Sequence, residues 1–327
     1  LRQPRSEEDE GLALAISLGK LTLGRIVQAA IVALVVGVVG FAMMEALPGD
    51  AAYRIAAGRY GYDMVTGAAA EQVRSELGLD RPAAERLLTW VGQTFTFDLG
   101  QSAVTGERVG HAIDHQLGHT VELALVAVAV ALLIAVPIGV LAGLRPGSLF
   151  DRISAALAIV VRAMPAFLIG IVLMLVLAVE LGLVPAAGHG HGGNFVLPAL
   201  TLGIVLASVL TRVVRNAVAA TVASDAFQFA LHKGLPMRAA FLRHGVRNAA
   251  VPVVAYLGVQ MALLLEGVVV VESVFSWPGI GHALTHAIFE RDVPMLQGTA
   301  LTLGLMFVLL SFLADLACRA LDPRLNT

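Results

Sequence analysis

Charge is what this sequence lacks most. Only 14% of its 327 residues are Asp, Glu, Lys or Arg, where a soluble domain carries about 25%. So few charges cannot clothe a water-soluble surface on a chain of this length, so lipid must cover much of it. Cysteine is nearly missing: the lone Cys318 excludes a disulfide framework and a thiolate metal site. No Gly-x-x-x-x-Gly-Lys-Ser/Thr stretch occurs, so the chain lacks that device for cradling nucleotide phosphates. His111-x-x-x-His115 lacks the Glu of a His-Glu-x-x-His motif, so zinc hydrolysis is not expected. Alternation of period two is absent, which argues against a barrel. A net charge of −2 gives no ground for nucleic-acid binding. After Arg2, Arg5 and the acidic run 7–10 no short apolar stretch with a cleavage site follows. No removable signal peptide is expected, and the first long apolar run is expected to stay as an anchor.

What is present is apolar: 57% of residues, with a mean hydropathy of +0.82. A helix needs about 20 apolar residues to cross the hydrocarbon core. Six runs meet that length: 26–44, 123–144, 153–179 (interrupted by Arg162), 195–211 with an extension towards 218, 248–271 (interrupted by Glu266) and 293–314. The expected fold class is an all-α polytopic membrane protein with six transmembrane helices.

The basic residues give the orientation. Arg2, Arg5, Lys20 and Arg25 precede the first run. Arg145 and Arg152 lie between the second and third. Arg212, Arg215, Lys233, Arg238, Arg243 and Arg247 face one acid, Asp225, between the fourth and fifth, and Arg319 and Arg324 follow the sixth. If the runs alternate, all fall on one side, and short basic loops stay in the cytoplasm. Both termini are therefore expected inside. The expected segmentation is a cytoplasmic N-terminal stretch 1–22, a first span 23–47, an extracytoplasmic subdomain 48–118, and a core 119–327 whose residues 219–248 form a cytoplasmic loop.

That loop is too polar to span and too periodic to be a plain connection. Ala226, Phe229, Ala230 and Leu231 read as one helical face, Gly234-Leu235-Pro236 breaks the helix, and 237–246 reads as a second, basic helix. An ordinary amphipathic linker would show the same pattern.

The residues of this loop, Phe227-Gln-Phe-Ala-Leu-His-Lys-Gly234-Leu and Arg243-His-Gly-Val-Arg-Asn248-Ala-Ala-Val-Pro252, resemble the coupling loop of binding-protein-dependent ABC importer permeases, the dipeptide/oligopeptide/nickel class in particular. Other segments are similar to that family in the same order: Leu47-Pro-Gly-Asp50, Leu77-Gly-Leu-Asp-Arg-Pro82, Trp90, Asp98-Leu-Gly-Gln-Ser102, Thr120-Val-Glu-Leu-Ala124, Met164-Pro-Ala-Phe167, Val271-Glu-Ser-Val-Phe-Ser-Trp-Pro-Gly-Ile-Gly281 and Leu321-Asp-Pro-Arg324. The likeness spans almost the whole chain. It implies a type I ABC importer permease fold with an outer subdomain between the first two spans, in the bacterial inner membrane. It also implies a heterodimeric pore with a homologous second permease, two ATP-binding subunits that hold ATP and Mg, and an extracytoplasmic binding protein that delivers substrate. This chain itself would carry no cofactor and catalyse nothing. The resemblance assigns ATPase coupling to Gln228, Phe229, Ala230, Gly234, Leu235, Arg243, Arg247 and Asn248. Gln228-Phe229-Ala230 departs from the general Glu-Ala-Ala start, so a salt bridge from that acid is lost. Arg247 stands where many importers have Pro, as is common in the peptide/nickel class.

Ionisable groups inside spans are costly and mark function by default. Arg162 and Glu266 are candidates for the substrate path, alone or as a pair, with snorkelling or interhelical bonding as the alternative for Arg162. Glu272 and Trp277 of the signature join them as substrate-path candidates, with a structural or gate role as the alternative for Glu272. Of nine histidines, His111, His115, His119, His189, His191, His282 and His286 fall on the expected outer side. Imidazole is a common ligand for nickel, copper and zinc. His189, His191, His282, His286, His111 and His115 are thus candidate metal-cargo residues, and ordinary exposed histidines are the alternative. Cargo stays open between a peptide and a metal or metal chelate. Two other function classes stand beside the importer. A membrane enzyme needs a nucleophile and base inside the spans, and none is visible. A self-sufficient channel or secondary transporter needs no basic coupling loop.

Overall fold

The computed structural model describes residues 7–95, 98–188 and 193–321. In chain order the helices are α1 (Glu7–Ala46), α2 (Ala51–Tyr60), α3 (Gly67–Glu76), α4 (Ala83–Phe95), α5 (Val109–Leu144), α6 (Leu149–Ala163), α7 (Ala166–Leu173, continued by a π turn Met174–Glu180), α8 (Val196–Val222), α9 (Asp225–His232), α10 (Met237–Ala240, continued by a π turn Phe241–Gly245), α11 (Val246–Phe275), α12 (Ile280–Glu290) and α13 (Val293–Leu321). Only one isolated β-bridge, Gln101 to Arg108, occurs among the described residues. The all-α class and the six apolar runs stand.

Four helices are long and apolar enough to cross a membrane unaided, and six spans result if each of two bent pairs counts as one. The third run is not straight. α6 and α7 meet at 103°, because Pro165 brings no N–H and pushes Met164 into the extended region (φ −93°, ψ 134°). The fifth run continues to Phe275, and α12 follows after a break of four residues.

The chain forms two compact units. One is built on Leu123–Phe275, with the helix ends before Arg25 and after Leu309. Here α8 packs against α6, α7 and α11. α5 turns a stripe of small residues inward: Ala127, Ala131, Ala135 and Ala142 are fully buried. Gly139 and Gly143 continue it. A Cβ on Gly139 would sit 2.8 Å from the Thr211 carbonyl oxygen, and one on Gly143 2.7 Å from that of Arg215. Helices in lipid gain nothing from burying apolar surface against each other. Small residues at spacing four therefore let backbones touch and dispersion accumulate.

The other unit comprises Ile26–Glu122 and Ser276–Val308. Its small helices carry the caps a water-exposed fold uses. Asp50 caps α2, accepting from Ala52 N (2.9 Å), and Thr66 caps α3, accepting from Ala69 N (3.2 Å). α2 and α3 close over Ala52, Ile55, Ala56, Ala70 and Val73. Arg59 pairs with Glu76 at 2.8 Å and donates to the Ala103 carbonyl at 2.7 Å.

Candidate functional site

The segment between α8 and α11 is the most distinctive surface. Ser224 opens α9 as its N-cap, accepting from Phe227 N (3.4 Å). Gly234 closes it at φ +89°. Leu235 N reaches the Ala230 carbonyl (3.3 Å) and Gly234 N that of Leu231 (2.9 Å), the two bonds of a Schellman turn. A residue with a Cβ is strained at that φ. The sequence-based face needs correction. Phe227, Ala230 and Ala240 are buried, with Leu231, Leu235 and Phe241 around them, whereas Phe229 is 62% exposed. Two phenylalanines two positions apart lie on opposite faces of a helix, and the pattern alone chose the wrong one. The second helix is corrected as well. α10 lasts one turn and runs through the π turn directly into α11.

The exposed side of this element combines apolar and basic groups. Lys233 Nζ lies 4.6 Å from the Phe229 ring centre, a cation–π contact. Met237, Leu242 and Val246 are exposed, beside exposed Arg238, Arg243 and Arg247. Gln228 donates to the Val222 carbonyl (2.8 Å). Asn248 is exposed, and Leu235 half-buried. The surface suits a groove with apolar walls and acidic margins.

A buried carboxylate that sequence reasoning passed over holds the start of α6. Asp151 accepts from Arg212 (3.1 Å), from Arg215 (2.6 Å) and from Gly147 N (2.9 Å). Its side chain is only 6% exposed. Arg212 and Arg215 had counted only as topogenic charges. Their spacing of three on one face of α8 was the available signal.

The Trp-Pro-Gly signature is anchored on α5. Trp277 is buried, its indole donating to the His119 carbonyl (3.1 Å), and Ile280 N donates to Thr120 Oγ1 (2.8 Å). Glu272 is fully buried on α11. Arg162 is exposed in the last turn of α6. The Glu266 side chain lies outside the described residues, so the Arg162–Glu266 pairing does too.

Another pair missing from the sequence reading is Arg291–Asp292. Arg291, left-handed at φ 55°, donates to the carbonyls of Pro48 and Gly49 (2.8 Å to Gly49). Asp292 accepts from the Ser102 hydroxyl and from Ala103 N (3.1 Å), and caps α13 through Met295 N (3.2 Å). The Pro-Gly-Asp and Asp-Leu-Gly-Gln-Ser segments thus meet at one dipeptide.

The histidines form pairs. His115 and His119 stack edge-on at 4.9 Å between ring centres, His282 and His286 at 4.6 Å. His111 is exposed, 4.0 Å from Glu107. Among the described residues no three His, Cys, Asp or Glu side chains converge in a set able to hold a metal ion. His189 and His191 lie outside the described residues.

A family model described as "Binding-protein-dependent transport system inner membrane component" matches residues 135–327. The glutathione transport system permease protein GsiC of Pectobacterium atrosepticum is 35% identical over 293 residues, 90% of this chain and 94% of that protein. The proteins of the same name from Escherichia coli O6:H1 and K12 are 33% and 32% identical, each over 89% of this chain and 94% of their own length. Among solved structures, an amino acid ABC transporter with histidines aligns with TM-score 0.51 at 16% identity, covering 64% of this chain and 94% of that one. That likeness concerns the fold.

Proposed function

The chain belongs to the binding-protein-dependent transport system inner membrane components, the permeases of bacterial ABC importers of the peptide/oligopeptide class, and from that premise we propose that it forms half of a path for short peptides. The other half comes from a homologous second permease. Two ATPase subunits carry the ATP and Mg, an extracytoplasmic binding protein delivers the cargo, and this chain is not itself catalytic. Both termini face the cytoplasm, which the run of arginines beside the spans supports.

The observation that carries the coupling role is the exposed Phe229–Lys233 knob above the Gly234 turn. The position that holds an acid in many importers is Gln228 here, and the next presents an aromatic ring, Phe229, under an ammonium. The ATPase cleft that receives it is correspondingly apolar with acidic margins. ATP-driven closure of the two ATPases then draws α9 and α10 with it, and α10 passes the motion into α11 without an intervening loop.

A peptide is favoured over a metal because the similar permeases are named for glutathione transport and because the described histidines stop at pairs. The test is ATP-dependent uptake into proteoliposomes holding the whole complex and its binding protein, offered labelled glutathione, a dipeptide or a nickel chelate. Uptake of glutathione or the dipeptide is expected. It should persist when His282 and His286 become Ala. Nickel uptake without peptide uptake overturns the cargo assignment.

A further inference from the structure

α4 does not stand off in water as a loop between spans would. Its Trp90 ring fills the notch at Gly37 of α1, where no Cβ would fit. One turn along α1, the Arg86 guanidinium lies 5.5 Å over the Phe41 ring, and a turn further it pairs with Glu45. Advancing along α1 from Gly37 to Glu45 means retreating along α4 from Trp90 to Arg86, so the two helices are antiparallel. Gly37 lies about 14 Å along α1 from its end at Ala46, at ~1.5 Å per residue, inside a span of mean hydropathy 2.5. α4 therefore descends beside a membrane-crossing segment. It is amphipathic, with Leu88 70% exposed and Glu85 and Arg86 one turn from Trp90. Its charged end, Arg81 to Arg86, thus stands nearer headgroup depth and its indole nearer the acyl chains.

A cavity of about 300 Å³ opens between α4, α1, α2 and the first turn of α13. Its walls are apolar, with Phe41, Met44, Ile55, Leu79, Trp90 and Val293, and its polar groups are three arginines (Arg81, Arg86, Arg291) against Glu45 and Glu85. Arg291 is engaged by the carbonyls of Pro48 and Gly49. Arg86 gives one terminal nitrogen to Glu45, but its Nε is buried with no hydrogen-bond partner. Arg81 makes no ion pair among the described residues. Leaving a buried guanidinium N–H without an acceptor is costly, and an anionic oxygen beside apolar walls would satisfy it. The volume is at the lower limit of about 300–1,000 Å³ for ligand pockets, enough for part of one acyl chain. Of the apolar stretch of α1 only 6% of residues are buried by this chain, and of that of α13 11%. We infer that this cavity binds an anionic phospholipid, its phosphate on Arg81 and Arg86 and a chain against Phe41, Met44 and Trp90.

The test uses the full importer complex in bilayers doped with phosphatidylglycerol or phosphatidylethanolamine carrying brominated chains, which quench indole on contact. The wild-type signal minus that of Trp90→Phe isolates Trp90. Phosphatidylglycerol should quench at a several-fold lower mole fraction, millimolar inorganic phosphate should not displace it, and Arg81→Gln should reduce the preference about fivefold. Equal quenching by the two lipids marks ordinary bilayer contact and overturns the site. Displacement by phosphate, or no quenching because a partner subunit covers the cavity, overturns it equally. If Trp90→Phe fails to assemble, phosphatidylglycerol retained after delipidation decides instead: retention by wild type and loss from Arg81→Gln is expected, and equal retention contradicts the site.

Discussion

The two units of this molecule are held together by opposite means. The unit built on Leu123–Phe275 relies on closeness: the alanine and glycine stripe of α5 meets α8 backbone to backbone, and its buried carboxylate Asp151 is satisfied by three partners. The other unit relies on polar stitches between segments far apart in sequence, with Asp292 holding Ser102, Ala103 and the start of α13. The difference follows from solvent. Where lipid surrounds helices, apolar burial gives no net drive and contact density must supply it. Where water competes, short helices need caps and cross-links to outweigh their conformational entropy.

The contrast can be broken from either side. The largest effect is expected from Asp292→Ala, which strands several buried donors at once and should cost about 3–5 kcal/mol. Limited proteolysis within 48–118 would then accelerate, and unchanged cleavage would mean the stitches are dispensable. Next is Gly139→Val, which drives a side chain into the Thr211 carbonyl. Overpacking costs about 1–3 kcal/mol, read as a lower Tm of the complex, while the same change at Gly118 of the same helix, where open space surrounds the Cβ position, should leave α5–α8 packing intact. Asp151→Asn comes third. It keeps the shape but removes the charge between two arginines, and should cost about 1–3 kcal/mol, lowering the Tm of the complex.

The smallest effect concerns pH. The Arg59 guanidinium beside Glu76 holds its carboxyl below the ordinary carboxylate range. A depressed folded-state value means the stabilisation is fully present above the unfolded value, about pH 4.3, and is lost as pH falls through the lower folded value. Glu76 is half exposed, so solvent screening leaves only a few tenths of a kcal/mol. Wild type and Glu76→Gln should therefore converge in Tm below about pH 4, and a gap that widens on acidification would refute the pair.

How much of this was legible depends on the range of the cause. The six apolar runs could be read because span length is a local sum. The Gly234 turn could be read because a left-handed residue has a local signature. The bend at Met164-Pro165 was in view, but hydropathy does not register a restricted φ. Asp151 carries no local signature, since its partners Arg212 and Arg215 lie some sixty positions away. The Arg291–Asp292 hub was hidden for the same reason, its ligands at Pro48, Gly49 and Ser102 being joined only by the fold. The outward face of α9 was misread because Phe227 and Phe229 are chemically alike and only packing separates them.

The central claim is that α9 and the turn after it transmit the ATPase cycle into the spans. It is tested most directly by measuring ATP hydrolysis and peptide uptake together in proteoliposomes of the complex carrying Phe229→Ala. The account predicts a complex that inserts normally and still hydrolyses ATP but loses at least about tenfold in uptake, since removing a buried aromatic anchor at an interface costs about 2 kcal/mol or more. Uptake at the wild-type rate with normal hydrolysis would contradict it.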